Sequence, residues 1–576
     1  MSRPGARTEA RAGPPGFTLG LALCLACAFS AFGSAGAADD DTRDAGGPPP
    51  GIVTSQASLK TVLRGWLAQS GTLDAGVAMV DVKWAYKRGD LGGTLEELVA
   101  GDDYRSDITL GTLHEADGSY RGATWNQDYN GYTIVESGVH ASASAGRDAL
   151  AAAATIKPPS NVVLLGESPG HNAYVVAYVP PRRSATYYFF DKTTFGLVRS
   201  EHTIDGIRRT VDYDDFRPLA GRTVAWHERE SDGRPFNDEE RTLRSFTTAP
   251  TFDDAPLRIP ADARAPLTLA QPAIKLPARI VEDRIIVTVL IGGRKVNLQL
   301  DSGASGILLD RSVVDALKLP TFGKSTEATA GTYTAAMARI PTLDAGGATL
   351  HDVIVETAPF VNWQDAKTPI AGLLGFDFIA GCVLKVDYAA GTVEALAPDG
   401  FAPPANASSI PIVLDDRVPM LAANIGGVSG EHFILDTGAD RSMLFADFVA
   451  AHPKETTDQG LGAAMTTSSP FVSHLSGVGG EIQARPVQIE SLGLGTIAFP
   501  RWLFLATTGE TRTFEGDDID GLIGQDVLRN FVLYLDYRRA KVYLVPNERF
   551  KQRYSSAVTR RGRAAFTSAF RGAQPG

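Results

Sequence analysis

Most of the chain alternates apolar and polar residues in short runs punctuated by Gly, Asp or Pro, the pattern of strands that bury one face. Residues 55–248 open with a helix-like stretch at Leu59–Ser70. Strands are then predicted at Tyr104–Leu113, Ser119–Asn126, Gly131–Gly138, Ala173–Pro180, Ala185–Asp191, Gly196–Ile204, Arg208–Tyr213 and Thr223–Glu230. Turns are expected at Glu115-Ala116-Asp117-Gly118 and Asp205-Gly206. Such a series predicts a largely antiparallel sheet, an α+β N-terminal domain. Six prolines between Pro250 and Pro277 argue for an extended linker over 249–278. A second break, 397–411 (APDGFAPPANASSIP), separates segments 279–396 and 412–547. Past Phe550 basic residues occur without acids, so 548–576 reads as a solvated basic tail.

The two segments resemble each other at three landmarks in the same order. Each has a hairpin of alternating apolar residues around Gly-Gly (Gly292-Gly293, Gly426-Gly427), running directly into Asp301-Ser302-Gly303-Ala304-Ser305 or Asp436-Thr437-Gly438-Ala439-Asp440. Each then has an apolar glycine step, Gly372-Leu373-Leu374-Gly375-Phe376-Asp377 or Gly521-Leu522-Ile523-Gly524-Gln525-Asp526. Each ends in an Asp-Tyr strand, with Asp387-Tyr388 or Asp536-Tyr537. The first landmarks are 436 − 301 = 135 residues apart and the second 521 − 372 = 149, so one insertion in the second copy accounts for the difference.

An acid at a strand end, followed by a small hydroxyl residue and Gly, sits on a tight turn whose backbone N–H groups can reach the carboxylate. Two such turns face to face would place two carboxylates around one water. Like charges that close cannot both ionise, so the pair would hold one shared proton, one member acting as base and the other as acid.

These residues resemble the retropepsin-like and pepsin-like aspartic proteases, over about Arg279 to Asn547. The resemblance implies two tandem retropepsin-like β-barrel lobes in a mainly β chain, with Asp301 and Asp436 as the catalytic dyad. It implies that Ser302 and Thr437 exchange hydroxyl hydrogen bonds between lobes and that Gly303 and Gly438 orient the carboxylates. It further implies substrate contacts at Ala304, Ala439 and Asp440, and hairpin flaps at 330–334, with Tyr333, and 476–480, with Gly479. The first copy has Ser305 where the second has Asp440, which breaks the symmetry of substrate recognition. With both lobes in one chain, a catalytic monomer is allowed. The substrate implied is a polypeptide, and no cofactor and no metal is implied.

Composition narrows the alternatives. The 576 residues carry 55 Lys+Arg against 66 Asp+Glu, net charge −11, which disfavours nucleic acid as a partner. The nine histidines show no zinc-ligand spacing, and three cysteines cannot make a disulfide framework. Gly166-Glu167-Ser168-Pro169-Gly170 has the form of a serine-hydrolase elbow, but the residues after it read as a strand where the elbow needs a helix. Arg3, Arg7 and Arg11 precede an uncharged run ending in small residues, so 1–37 reads as a signal peptide and 38–54 as a flexible leader. No later segment offers the length of apolar sequence a membrane span needs, and the expected location is periplasmic or secreted. Strand rhythm and the aromatic-Asp step at Tyr188–Val198 give the N-terminal domain a resemblance to periplasmic lipoprotein-carrier proteins. That domain would serve as a lipid or substrate module, or as a prodomain shielding the cleft. The expected activity is an exported aspartic endopeptidase; the competing reading is a catalytically inactive envelope protein that binds lipid or peptide through its N-terminal sheet.

Overall fold

The computed structural model describes residues 47–70, 77–135, 161–180, 184–204, 207–234, 236–264, 266–281, 283–328, 332–360, 364–365, 368–456, 473–477, 480–507 and 519–554. The proposed signal peptide and the tail beyond Tyr554 lie outside them. The first helix, Leu59–Ser70, starts where the Ser58 side chain accepts the Thr61 N–H (3.1 Å) and buries Val62, Leu63 and Trp66. These pack on Val162, Val176, Tyr188 and Phe190 of a 13-stranded sheet.

In that sheet the first strand, Met79–Arg88, pairs antiparallel with the last, Glu239–Ala249, and the others meander outward on both sides. Five strands escape the sequence reading: Met79–Arg88, Leu91–Ala100, Leu113–Tyr120, Val162–Ser168 and Glu239–Ala249. The turn expected at Glu115–Gly118 is instead the middle of a strand, Leu113–Tyr120. The chain reverses at Gly111 and at Arg121-Gly122, all with positive φ. The acids there are buried partners within the sheet: Glu115 accepts from Arg88 (3.0 Å), and Asp117 faces Ser106 and Glu97.

Beyond it lie two lobes with matching strand pairings. In the first, Arg284–Ile291 and Arg294–Leu300 form a hairpin around Gly292-Gly293, whose φ values of 56° and 80° suit the tight turn that right-twisted strands prefer. Gly372–Leu374 then inserts between Arg294–Leu300, parallel to it, and Ile307–Asp310, antiparallel to it. In the second lobe Gly521–Ile523 lies in the same way between Val428–Leu435 and Met443–Leu444.

A six-stranded sheet joins the lobes. Its order is Ala273–Lys275, Thr392–Leu396, Val383–Asp387, Phe531–Asp536, Lys541–Pro546 and Ser408–Pro411. Leu384, Val386, Leu533 and Leu535 are fully buried at its centre, each contributing about 1.5–3 kcal/mol of apolar burial. Both segments expected to be linkers thus supply edge strands, where prolines such as Pro411 cost no central ladder bond. Residues 548–554, expected in the basic tail, form a helix that buries Phe550 and Tyr554 against Phe499. Among the described residues no helix is long and apolar enough to cross a membrane.

Candidate active site

Asp301 follows the strand Arg294–Leu300 and Asp436 follows Val428–Leu435, and the backbone of each is anchored to the inserted strand of its own lobe. Asp301 N–H donates to Leu374 O (3.1 Å), and Asp436 N–H to Ile523 O (3.0 Å). The turns are closed by the carboxylates themselves. Gly303 N–H donates to Asp301 Oδ1 (2.8 Å), and the N–H groups of Gly438 and Ala439 donate to Asp436 Oδ1 (2.7 and 3.0 Å).

The hydroxyl residues tie the turns together. Thr437 N–H donates to Ser302 Oγ (3.0 Å), which itself donates to Leu435 O (2.6 Å). Reciprocally, Ser302 N–H donates to Thr437 Oγ1 (2.9 Å), which donates to Leu300 O (3.1 Å). Gln299 Nε2 adds a further bond across the junction, to Gly438 O (2.9 Å), and Gln525 Nε2 donates to Thr437 O within the second lobe.

The glycines are required by approach rather than by backbone angle. A Cβ on Gly438 would lie 2.3–2.6 Å from the Asp301 carboxyl group, and one on Gly303 would lie 2.8–3.0 Å from that of Asp436. Each turn therefore receives the opposite aspartate over its glycine. The two carboxyl groups are thus close enough for each to influence the other's protonation. Burial, and next the Asp436 charge, push Asp301 well above the usual carboxylate range. Burial raises Asp436 as well, opposed by the amides of its own turn. One proton shared by the pair is the electrostatically favoured state.

Around the dyad the other expected residues are distributed unevenly. Ala304 clusters with Ala358, Phe360 and Leu373, and Tyr333 of the first candidate flap packs against this cluster, while Ala330 and Gly331 lie outside the described residues. Ala439 packs against the second lobe's Met420 and Met443 cluster. Asp440 is exposed and pairs with Arg284 of the first lobe (3.4 Å). Gly479 lies outside the described residues. Beneath the site, Tyr388 and Tyr537 of the Asp-Tyr landmarks are buried, and burial followed by Asp301 and Asp436 holds the Tyr537 phenol well above its ordinary value. The sequence marked these tyrosines as part of the repeat without giving them a place in the site. Gln525 stands within the second landmark and Gln299 just before the first aspartate, but the sequence alone assigns neither a role in the site.

The elbow-like segment Gly166–Gly170 passes through the short 3-10 turn Pro169–His171 into the strand Ala173–Tyr178. The helix that a serine nucleophile requires is not there. Among the described residues no group of three or more His, Cys, Asp or Glu side chains could hold a metal ion.

Two strand-end aspartates, crossed over each other's glycine at the junction of two like lobes, define the class. Residues 287–378 and 421–527 each match the aspartyl protease family, once in each lobe. Among solved structures, the chain is similar to an aspartic proteinase from Irpex lacteus. That match has 13% identity and a TM-score of 0.31, covering 48% of this chain and 98% of the other. No curated protein matches the chain. The family match begins at residue 287 and leaves the N-terminal sheet unassigned.

Proposed function

We propose that the protein is an exported aspartic endopeptidase whose water is activated by an intramolecular Asp301/Asp436 dyad. The observation that carries this reading is the crossed approach of two strand-end carboxyl groups, each lying over the other turn's glycine and held by amides of its own turn. Asp436 takes a proton from the attacking water as the water oxygen bonds to the scissile carbonyl carbon. Asp301 gives its proton to the carbonyl oxygen, producing a neutral tetrahedral diol. Collapse of the diol returns a hydroxyl proton to Asp301, while the leaving nitrogen takes the proton from Asp436. The carbon–nitrogen bond breaks and the dyad is restored. Export rests on the signal-peptide pattern at 1–37, and the polypeptide substrate rests on the family that the two lobes match.

The test is cleavage of an unbiased peptide library between about pH 3 and 7, with Asp301→Asn and Asp436→Asn as comparisons. Acid-favoured cleavage lost in both variants supports the dyad. Cleavage that survives either change, in a folded protein, rules it out.

A further inference from the structure

The two lobes differ where their pairing pattern says they should agree, and the N-terminal domain fills the difference twice. In the second lobe Asp526 accepts both the N–H (3.0 Å) and the hydroxyl (2.7 Å) of Ser442, and this hydroxyl in turn accepts Gly524 N–H (3.0 Å). The matching residues of the first lobe are Asp377 (526 − 149) and Ile307 (442 − 135). Ile307 N–H still donates to Asp377 Oδ2 (3.1 Å), but its side chain has no hydroxyl to offer. Asn130 of the N-terminal sheet takes that place, donating from Nδ2 to Asp377 Oδ1 (2.9 Å). The Asn130 amide is fixed by the Ile354 backbone on both sides (2.9 Å each), and Tyr132 OH donates to Asp377 O (2.9 Å).

The second difference concerns the first hairpin of each lobe. In lobe one Arg284 follows the turn that joins the short strand Ala278–Val281 to Arg284–Ile291, and it reaches Asp440, four residues past Asp436. Arg417 occupies the corresponding turn of lobe two, but four residues past Asp301 stands Ser305. Arg417 pairs instead with Asp128 (3.2 Å) and donates to Asn126 Oδ1 (3.0 Å), both from the N-terminal domain. Asp128, Asn130 and Arg417 are all buried, and Tyr132 and Ile134 belong to the core shared by the lobes.

We propose that residues 126–132 are a permanent part of the protease, in which Asn130 and Asp128 act as positioning residues that hold the first lobe's catalytic turn and tie it to the second lobe. This rests on the dyad reading above. It makes the N-terminal domain a component of the working site, in place of a shield that must be shed. The route to the chemistry is short: Asp377 fixes the Ile307 amide at the end of the turn that starts at Asp301, and the neighbouring Phe376 N–H holds Ala304 O (3.1 Å).

The experiment transplants the second lobe's solution into the first, in the full chain. Asn130→Ala is compared with Asn130→Ala/Ile307→Thr, and Asp128→Ala with Asp128→Ala/Ser305→Asp. The readouts are kcat and KM on a cleaved peptide, the thermal midpoint, and hydrogen exchange at the Ser302–Ile307 amides. Each single variant should lose about tenfold or more in kcat, with faster exchange at Ile307, and each double should recover most of the loss. Unchanged kcat in the singles overturns the proposal, as do doubles that melt like the parent yet stay as slow as the singles. Should Asn130→Ala fail to fold, Asp128→Asn, which keeps shape and removes charge, carries the same comparison. A parent chain that cleaves nothing overturns the protease reading alone. Exchange at Ile307 then decides the docking, and no change in the Asn130 variant rejects it.

Discussion

At the scale of single residues, the closest fit in the molecule is a glycine under an acid. Gly438→Ala would force a methyl group to within 2.3 Å of Asp301 Oδ2, and the opposing turn is itself pinned, so neither side can yield cheaply. The expected result is loss of at least about 2 kcal/mol of stability and near-complete loss of cleavage, checked by denaturant titration and peptide assay. Asp117 makes a different prediction. Burial first, and then the charge of Glu97, raise its carboxyl group from the usual 3.8 to about 8. Because the folded value lies above the unfolded one, its contribution is fully present below the unfolded value and is lost as pH climbs towards 8. Asp117→Asn removes that liability. Its thermal midpoint should exceed the parent's at pH 7 to 8 and converge with it near pH 4, and a constant offset would refute the assignment.

At the scale of elements, the junction of the two catalytic turns is a four-bond exchange between hydroxyls and main chain. Ser302→Ala strands the Thr437 N–H and frees Leu435 O, and Thr437→Val does the reciprocal damage. Each should cost about 1–3 kcal/mol and lower kcat more than it raises KM, because the loss falls on dyad geometry and not on substrate contacts. The facing pair of aspartate turns was legible in the sequence because a strand, its acid, its hydroxyl and its glycine are contiguous, and the repeat prints the set twice. The same contiguity made the first helix and most hairpins readable. What could not be read depends on long-range docking: Asn130 meets a partner 247 residues away. The misplaced turn at Glu115–Gly118 has a related cause, since an acid-rich stretch looks like a surface turn until Arg88 arrives from another strand. The prolines at 249–278 and 397–411 misled in the opposite way, marking edge strands as linkers.

At the scale of the whole molecule, the N-terminal sheet and the lobes should behave as one body. A chain nicked in the exposed stretch Thr251–Asp253 is expected to co-elute as a single particle on size exclusion, held by Asp128–Arg417, Asn130–Asp377 and the buried Tyr132 and Ile134. Separation into two species would mean these contacts are too weak to matter. The six-stranded sheet carries a further consequence, for the order of events during synthesis. Its middle ladder joins Val383–Asp387 to Phe531–Asp536, and its far edge joins Ser408–Pro411 to Lys541–Pro546. A growing polypeptide on the ribosome therefore holds Asp301 and Asp436 long before it holds the platform that brings them face to face. The nascent chain would be harmless to itself and its neighbours until almost its last strand has emerged.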